Sequence, residues 1–168
     1  IRQLQMENNK KIWYISHYTA PPALDTHSRA IKFAYYLKEY GYDVTIFSAS
    51  FLHYKNIDLI ENDEKFIEKE YNKIKFVHIK TRKYQRNGLM RVYSLVQFAL
   101  RIYYLRNRFQ KPDIIIHSTQ VPFENLLYFA AKKLRAKYIA DVLDLYPETF
   151  AAYGVISRKN PILALGYM

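Results

Sequence analysis

The sequence from residue 11 to residue 16 reads Lys-Ile-Trp-Tyr-Ile-Ser, a short apolar run that predicts a buried first strand. After a loop, Asp25 or Thr26 predicts the start of a helix, which Gly41 ends. Residues 44–47, Val-Thr-Ile-Phe, predict a second strand. A strand, a helix and another strand in this order indicate a parallel sheet, because parallel neighbours need a crossover connection.

The same alternation continues along the chain. Further strands are predicted at residues 74–79, 113–117 and 137–142, and further helices at residues 89–109 and 122–134. The highly charged stretch 56–72 has few core positions, so we expect an exposed excursion with at most a short helix at residues 63–70. The fold class is therefore α/β: a Rossmann-like parallel sheet of five or more strands with helices on both faces. We expect residues 1–10 to be a tail and residues 11–168 to form this domain.

Composition limits the classes of function. The chain has 168 residues, half of them apolar, which is enough for one domain with a core. Cysteine is absent, which fits a reducing compartment and rules out disulfide bonds and thiolate-bound metals. The five histidines show no metal-binding spacing, so we expect no metal site. A signal-peptide pattern and an apolar run of about 18 residues are also lacking, so we expect that the chain does not cross a membrane by itself.

The formal net charge is +11, which predicts attraction to an anionic partner. A phosphate ligand, a membrane surface and nucleic acid all fit a charge of this sign. Nucleic acid is the least favoured, because the basic residues lie in several unrelated segments and form no recognisable nucleic-acid motif. We therefore expect no nucleic-acid partner.

An acidic segment follows the last predicted strand. Asp141, Asp144 and Glu148 lie where the carboxyl end of a strand in an open α/β sheet meets a ligand. Asp144 is the strongest candidate for a functional carboxylate. Asp141 has a structural alternative, which is to bond the backbone at the strand end. Glu148 follows Pro147, where a carboxylate also simply stabilises a helix dipole.

Two other predicted strand ends carry polar side chains. His17 and Tyr18 follow the first strand, and Ser118 and Thr119 follow the fourth. These residues are candidate ligand contacts, with loop shaping or capping as the alternative. The helix start near Thr26 offers free N–H groups to an anion. The first loop has no glycine, which argues against a dinucleotide-binding dehydrogenase.

The predicted helix at residues 89–109 has two interpretations. One is a core helix that covers the sheet. The other is an amphipathic surface that touches anionic lipid. The basic residues that would assist lipid contact are Arg82, Lys83, Arg86 and Arg91, together with Arg101.

A family resemblance is carried by several segments in order. Residues 141–148, Asp-Val-Leu-Asp-Leu-Tyr-Pro-Glu, resemble the strand-tip motif of bacterial glycosyltransferases of family 4. These enzymes have the two-domain GT-B fold, and the kind resembled here builds capsule and O-antigen chains. Residues 12–18, 37–46, 111–116 and 153–157 resemble further segments of the same enzymes. The match extends over nearly the whole chain.

The resemblance implies transfer of a sugar from a nucleotide-sugar to a saccharide acceptor, often linked to polyprenyl diphosphate at the cytoplasmic face of the membrane. It implies that this chain is the amino-terminal, acceptor-side half, inactive alone, with His17, Tyr18, Thr26, Ser118, Thr119, Asp144 and Glu148 lining the cleft. The nucleotide-sugar would bind mainly to a carboxy-terminal domain that these residues do not include, and no tightly bound cofactor is implied. The resemblance also implies a cytoplasmic protein, peripheral at the inner face of the cell membrane.

This sequence departs from the family pattern at two places. Many members have Gly-Gly in the first loop, where this chain has Pro21-Pro22. Many have His-Asp or Arg-Asp at the fifth strand, where this chain has Leu143-Asp144. An acid–base role at position 143 is therefore not carried over, and Asp144 is the candidate catalytic residue. Two alternatives stay open: a non-catalytic, membrane-recruiting subunit of a split glycosyltransferase, and a flavodoxin-like nucleotide-binding protein.

Overall fold

A computed structural model of the chain describes residues 10–25, 28–85, 88–119 and 125–142. Its strands in these ranges are β1 (Lys11–Ile15), β2 (Asp43–Ala49), β3 (Phe51–Leu52), β4 (Ile57–Asp58), β5 (Phe66–Tyr71), β6 (Ile74–Ile79), β7 (Ile114–Thr119) and β8 (Lys137–Val142). Its α-helices are α1 (Arg29–Glu39), α2 (Leu89–Leu105) and α3 (Asn125–Leu134).

Six strands form one sheet in the order β5-β6-β2-β1-β7-β8. All neighbours in it pair in parallel except β5, which runs antiparallel to β6 at one edge. The strands β3 and β4 form a separate antiparallel pair. The predicted α/β class with a mostly parallel sheet is confirmed.

The two faces of the sheet are covered by different helices. Ile12 and Tyr14 of β1 pack on one face with buried residues of α1. Trp13 and Ile15 point to the other face and pack with buried residues of α2 and α3. The alternation follows from the two-residue period of a strand, and apolar residues on both faces are typical of a central parallel strand. The prediction of helices on both faces is therefore also confirmed.

The first helix differs from the prediction at its start and agrees at its end. The expected N-cap at Asp25 or Thr26 is wrong, because α1 begins at Arg29 with Ser28 as its N-cap. Asp25 instead donates its backbone N–H to the carbonyl of Pro21 in a turn that the proline pair initiates. Gly41 has φ of 83°, and its N–H and that of the next residue bond carbonyls of the last helical turn, as in a glycine-ended helix.

The charged stretch 56–72 is not the predicted excursion with a short helix. It contains β4 and the six-residue edge strand β5, and β5 joins β6 through Asn72 and Lys73. Both turn residues have positive φ, 50° and 65°, as a tight two-residue hairpin requires. The charges of Glu68, Lys69 and Glu70 are compatible with a strand here, because an edge strand has one open side and charges on it oppose aggregation.

The long second helix is shorter than predicted. It ends at Leu105, and a 3-10 turn follows at Arg106–Arg108. Phe109 lies beyond this turn and is buried against Trp13 and Phe47 of the sheet, with ring centroids 6.0 and 5.1 Å away. The apolar pattern thus continues past the helix end because Phe109 belongs to the core.

Candidate functional site

The sheet has its switch point between β1 and β7. From β1 the order runs through β2 to β6 on one side and through β7 to β8 on the other. In open α/β sheets, the crevice beyond the carboxyl ends of the strands at such a point is the usual ligand site. His17 follows β1 there, and the β7 residue Ser118 pairs with Asp141 of β8 at the same edge.

His17 is buried beneath this edge. Its ring contacts Phe98 of α2 edge-on, with centroids 5.1 Å apart, and its Nε2 atom lies 3.4 Å from the Ser94 hydroxyl. Its Nδ1 atom has no hydrogen-bond partner among the described residues. Burial, with smaller effects from His53 and Arg91, lowers the pKa of His17 to about 3. The imidazole is therefore neutral at pH 7.

Tyr18 is half-buried and lies next to this histidine, with ring centroids 4.7 Å apart. Its hydroxyl accepts a hydrogen bond of 2.8 Å from Nε of Arg91, and the Arg91 guanidinium carbon lies 5.4 Å from the Tyr18 ring centre. The arginine thus fixes the ring by a hydrogen bond and a cation–π contact. Arg91, predicted to contact anions at the surface, is directed into the loop after β1.

Asp141 is tied into the fold at the opposite side of the switch point. The Tyr14 hydroxyl donates to its Oδ2 atom over 3.0 Å, and Arg29 of α1 donates to its Oδ1 atom over 2.7 Å. Burial and this hydrogen bond raise the pKa of the Tyr14 phenol above its usual value. Both contacts are with side chains, whereas the structural alternative for Asp141 was a bond to the backbone.

The end of β7 is also largely buried. Ser118 is buried, and Thr119 is the last residue of the strand. His117 shares a hydrogen bond of 2.9 Å with the Tyr138 hydroxyl of β8, and burial lowers its pKa to about 4. His117 was not singled out from the sequence as a site residue, and its neutral ring supports the edge on which Ser118 lies.

The remaining predicted site residues divide into two groups. Thr26, Arg86, Asp144 and Glu148 lie outside the described residues. Arg82 and Lys83 are exposed, as an anion-contact role requires. The backbone N–H of Arg82 donates to Oε1 of Gln97 on α2. The Lys83 amine lies 3.9 Å from a carboxylate oxygen of Asp58.

The structure also brings together an aromatic cluster that the sequence interpretation missed. The His53 ring lies 3.6 Å from that of Tyr54, 5.4 Å from that of Tyr84 and 5.4 Å from that of Tyr18. The Phe51 ring adds an edge-on contact to Tyr84 at 5.6 Å. The signal in the sequence was the run Phe51-Leu-His-Tyr54, which begins four residues after the end of the predicted second strand.

His78 is a core residue. It is buried, with Nδ1 2.9 Å from the Ser48 hydroxyl and Nε2 3.2 Å from the Tyr71 hydroxyl. Burial and the charge of Lys69 lower its pKa to about 4. Serine, histidine and tyrosine thus form a hydrogen-bonded chain across three strands.

The outer side of α2 is apolar and exposed. Leu89 is 87% exposed and Tyr104 is 73% exposed. They belong to one helical stripe, whose members are Leu89, Tyr93, Val96, Leu100 and Tyr104. Lys65 and Arg101 border a shallow groove of about 320 Å³ along the stripe. None of the described helices is long and apolar enough to cross a membrane.

Among the described residues, no group of histidines and carboxylates could hold a metal ion. No family model and no curated protein matches the chain. A solved structure, the C-terminal domain of a hydrogenase from Pyrococcus furiosus, resembles it with a TM-score of 0.51 and 16% sequence identity, over 79% of this chain and 91% of that one. A likeness at this identity defines the class of fold, a Rossmann-like α/β domain, and nothing finer.

Proposed function

We propose that this chain is the acceptor-binding half of a family 4 glycosyltransferase with the GT-B fold. The whole enzyme would move a sugar from a nucleotide-sugar to a surface-polysaccharide acceptor, linked to polyprenyl diphosphate. The ordered resemblance of its segments to these enzymes supports the proposal. The observation that carries it is the pairing of Ser118 on β7 with Asp141 on β8, next to the switch point between β1 and β7 that the loop of His17 borders.

Asp144 can lie only a short distance from the end of β8, the strand that pairs with β7, because it follows that end closely in the chain. Val142 ends β8 next to Thr119, and consecutive Cα atoms are about 3.8 Å apart. Asp144 follows Val142 by two residues, so its Cα lies within about 7.6 Å of that of Val142. We therefore propose Asp144, two residues after the end of β8, as the carboxylate that serves this edge of the sheet.

The chemistry assigned to Asp144 is proton handling at the acceptor. Its carboxylate would accept a hydrogen bond from the acceptor hydroxyl and, in an inverting enzyme, take the proton as that oxygen attacks the donor sugar. His17 is neutral and buried. It would therefore position Tyr18 at the rim instead of supplying a positive charge.

Incorporation of labelled sugar tests the proposal. The natural gene product that contains this chain would be purified and incubated with membranes and a panel of labelled nucleotide-sugars. Transfer of label into the lipid extract, and its release by mild acid, would support a polyprenyl-diphosphate-linked acceptor. Absence of transfer from every donor, by a folded protein that includes any following domain, would contradict the proposal.

The outer stripe of α2 favours a second candidate, a non-catalytic subunit that recruits its partner to the membrane. The helix contains Arg91 and Arg101 and no acidic residue, so lipid headgroups of negative charge would not be repelled. Membrane contact fits the enzyme as well as the recruiting subunit. Reading the gene beyond Met168 separates them: a second βα domain supports the enzyme, and a stop codon supports the subunit of a split enzyme.

A further inference from the structure

The aromatic cluster after β2 borders a cavity on the β2 side of the switch point. The cavity has a volume of about 240 Å³ and lies between the loop after β1 and the segment 51–55. Tyr18, Phe51, His53 and Tyr54 contribute aromatic rings to its lining. The volume is below the roughly 300–1,000 Å³ of sites for drug-sized ligands, so the cavity suits a single ring of a larger ligand.

The rings of the cavity wall are held in place by their neighbours. His53 is inclined against Tyr54 and stacks on Tyr84, with an interplanar angle of 27° to Tyr84. Tyr84 is buried, and Tyr18 is fixed by Arg91. Tyr54 is the outermost ring and is 78% exposed. The wall therefore offers a preformed aromatic surface with one ring open to solvent.

The rest of the lining indicates the chemistry of the ligand. Ala20, Leu24 and Leu52 supply an apolar floor, while Asp25 and Lys55 supply polar groups of opposite charge. A pyranose has C–H groups on its ring faces, which pack on aromatic and apolar surfaces, and hydroxyls around its edge, which bond to a carboxylate and an ammonium. A phosphate fits less well, because the lining contains an aspartate as well as its one lysine.

We propose that this cavity binds one pyranose ring of a saccharide, with the ring face against Tyr54. The identification of the bound sugar as part of the acceptor rests on the proposed function. The positions of the aromatic rings that line the cavity do not depend on the proposed function. The cavity follows the carboxyl ends of β1 and β2, so an acceptor bound there would extend along the same edge of the sheet as the loop of His17.

Saturation-transfer NMR on the natural gene product tests the proposal without any donor or transfer reaction. The probes are methyl glycosides of glucose, galactose, mannose and N-acetylglucosamine, together with octyl glucoside below its micelle concentration and uridine. We expect saturation of the pyranose ring protons of at least one methyl glycoside. Saturation confined to the octyl chain or to uridine would overturn the proposal, as would the absence of any pyranose signal.

Matched variants locate the binding. Tyr54→Ala should weaken the Kd of the bound glycoside by about two- to tenfold, the range expected for loss of one aromatic contact. Tyr54→Phe should keep the affinity, because the ring and not the hydroxyl makes the contact. Tyr40→Ala is the control, since Tyr40 is 70% exposed and follows α1 away from the cavity. Equal affinity of Tyr54→Ala and the control would overturn the assignment.

The result of this binding test can be distinguished from the result of the sugar-transfer test of the proposed function. Sugar binding that depends on Tyr54, in a protein that transfers no sugar, would retain the saccharide site and reject the glycosyltransferase. Sugar transfer without Tyr54-dependent binding would reject this site and leave the glycosyltransferase assignment intact.

Discussion

The hydroxyl of Tyr14 donates a hydrogen bond to Oδ2 of Asp141 over 3.0 Å, and so links β1 to β8 across the strand between them. Asp141 also binds Arg29 of α1. One carboxylate thus connects two strands and a helix beside the switch point. Its contacts account for an acidic residue at the strand end without a catalytic role.

Removal of the Tyr14 hydroxyl should destabilise the fold. A hydrogen bond to a charged group contributes about 1.5–3 kcal/mol, so we expect Tyr14→Phe to lower the free energy of unfolding by about 2 kcal/mol. Urea denaturation followed by circular dichroism measures the change. Tyr40→Phe is the matched control and should have almost no effect. Equal midpoints for the two variants would refute the structural role of this contact.

Acid should destabilise the protein through its buried histidines. His17, His78 and His117 have folded-state pKa values of about 3, 4 and 4, below the ordinary value near 6.5. The unfolded chain therefore binds more protons than the folded one at acidic pH. Stability that is fully present above about pH 6.5 is lost as the pH falls toward 4, by about 2 kcal/mol per histidine between pH 7 and pH 5.

The variant His17→Phe isolates one of these contributions. It should make the dependence of the unfolding free energy on pH shallower by about one proton between pH 6 and pH 5. The measured quantity is the slope of the unfolding free energy against pH. A loss of stability that is the same at every pH does not change this slope. An unchanged slope would show that His17 is protonated in the folded protein.

The hairpin between β5 and β6 should gain stability from a glycine. Lys73 has φ of 65°, and a left-handed conformation costs a residue with a side chain roughly 1–2 kcal/mol. Replacement by glycine removes this cost, and the greater freedom of glycine in the unfolded chain offsets part of the resulting gain in stability. We expect Lys73→Gly to raise the unfolding free energy by about 0.5–1 kcal/mol, and Lys69→Gly within β5 to lower it. A loss in Lys73→Gly would contradict the hairpin.

The outer stripe of α2 should bind anionic lipid. We expect co-sedimentation of the natural gene product with vesicles that contain phosphatidylglycerol, and weaker co-sedimentation with neutral vesicles. Tyr93→Glu combined with Tyr104→Glu should reduce this binding, while Tyr36→Glu on α1 should not. Equal binding to both vesicle types, or to neither, would remove the electrostatic part of the membrane proposal.

The parallel strands could be predicted because each is a short apolar run between turn or helix signals. The run 137–142 agrees with β8 at both ends, and Gly41 ends α1 as expected. The hairpin of β5 was missed because its turn is Asn72-Lys73 and carries no glycine. Charges at positions 68–70 also concealed the strand, since at an edge they stay in water.

The candidate site was harder to predict for a different reason. His17, Tyr18 and Ser118 lie near the expected edge because parallel strands end together. The cluster of His53, Tyr54 and Tyr84 depends on tertiary packing between segments that are about thirty residues apart, and no local period encodes such a contact. The neutral state of His17 likewise follows from burial, which the sequence around it does not reveal.

The substitution Asp144→Asn tests the central claim most directly. It keeps the size of the side chain and removes the charge, so the natural gene product should remain folded with a nearly unchanged unfolding midpoint. We predict that its transfer of sugar from the nucleotide-sugar falls by at least about a hundredfold, as expected for loss of a group that takes a proton. Normal turnover by the folded variant would contradict the account.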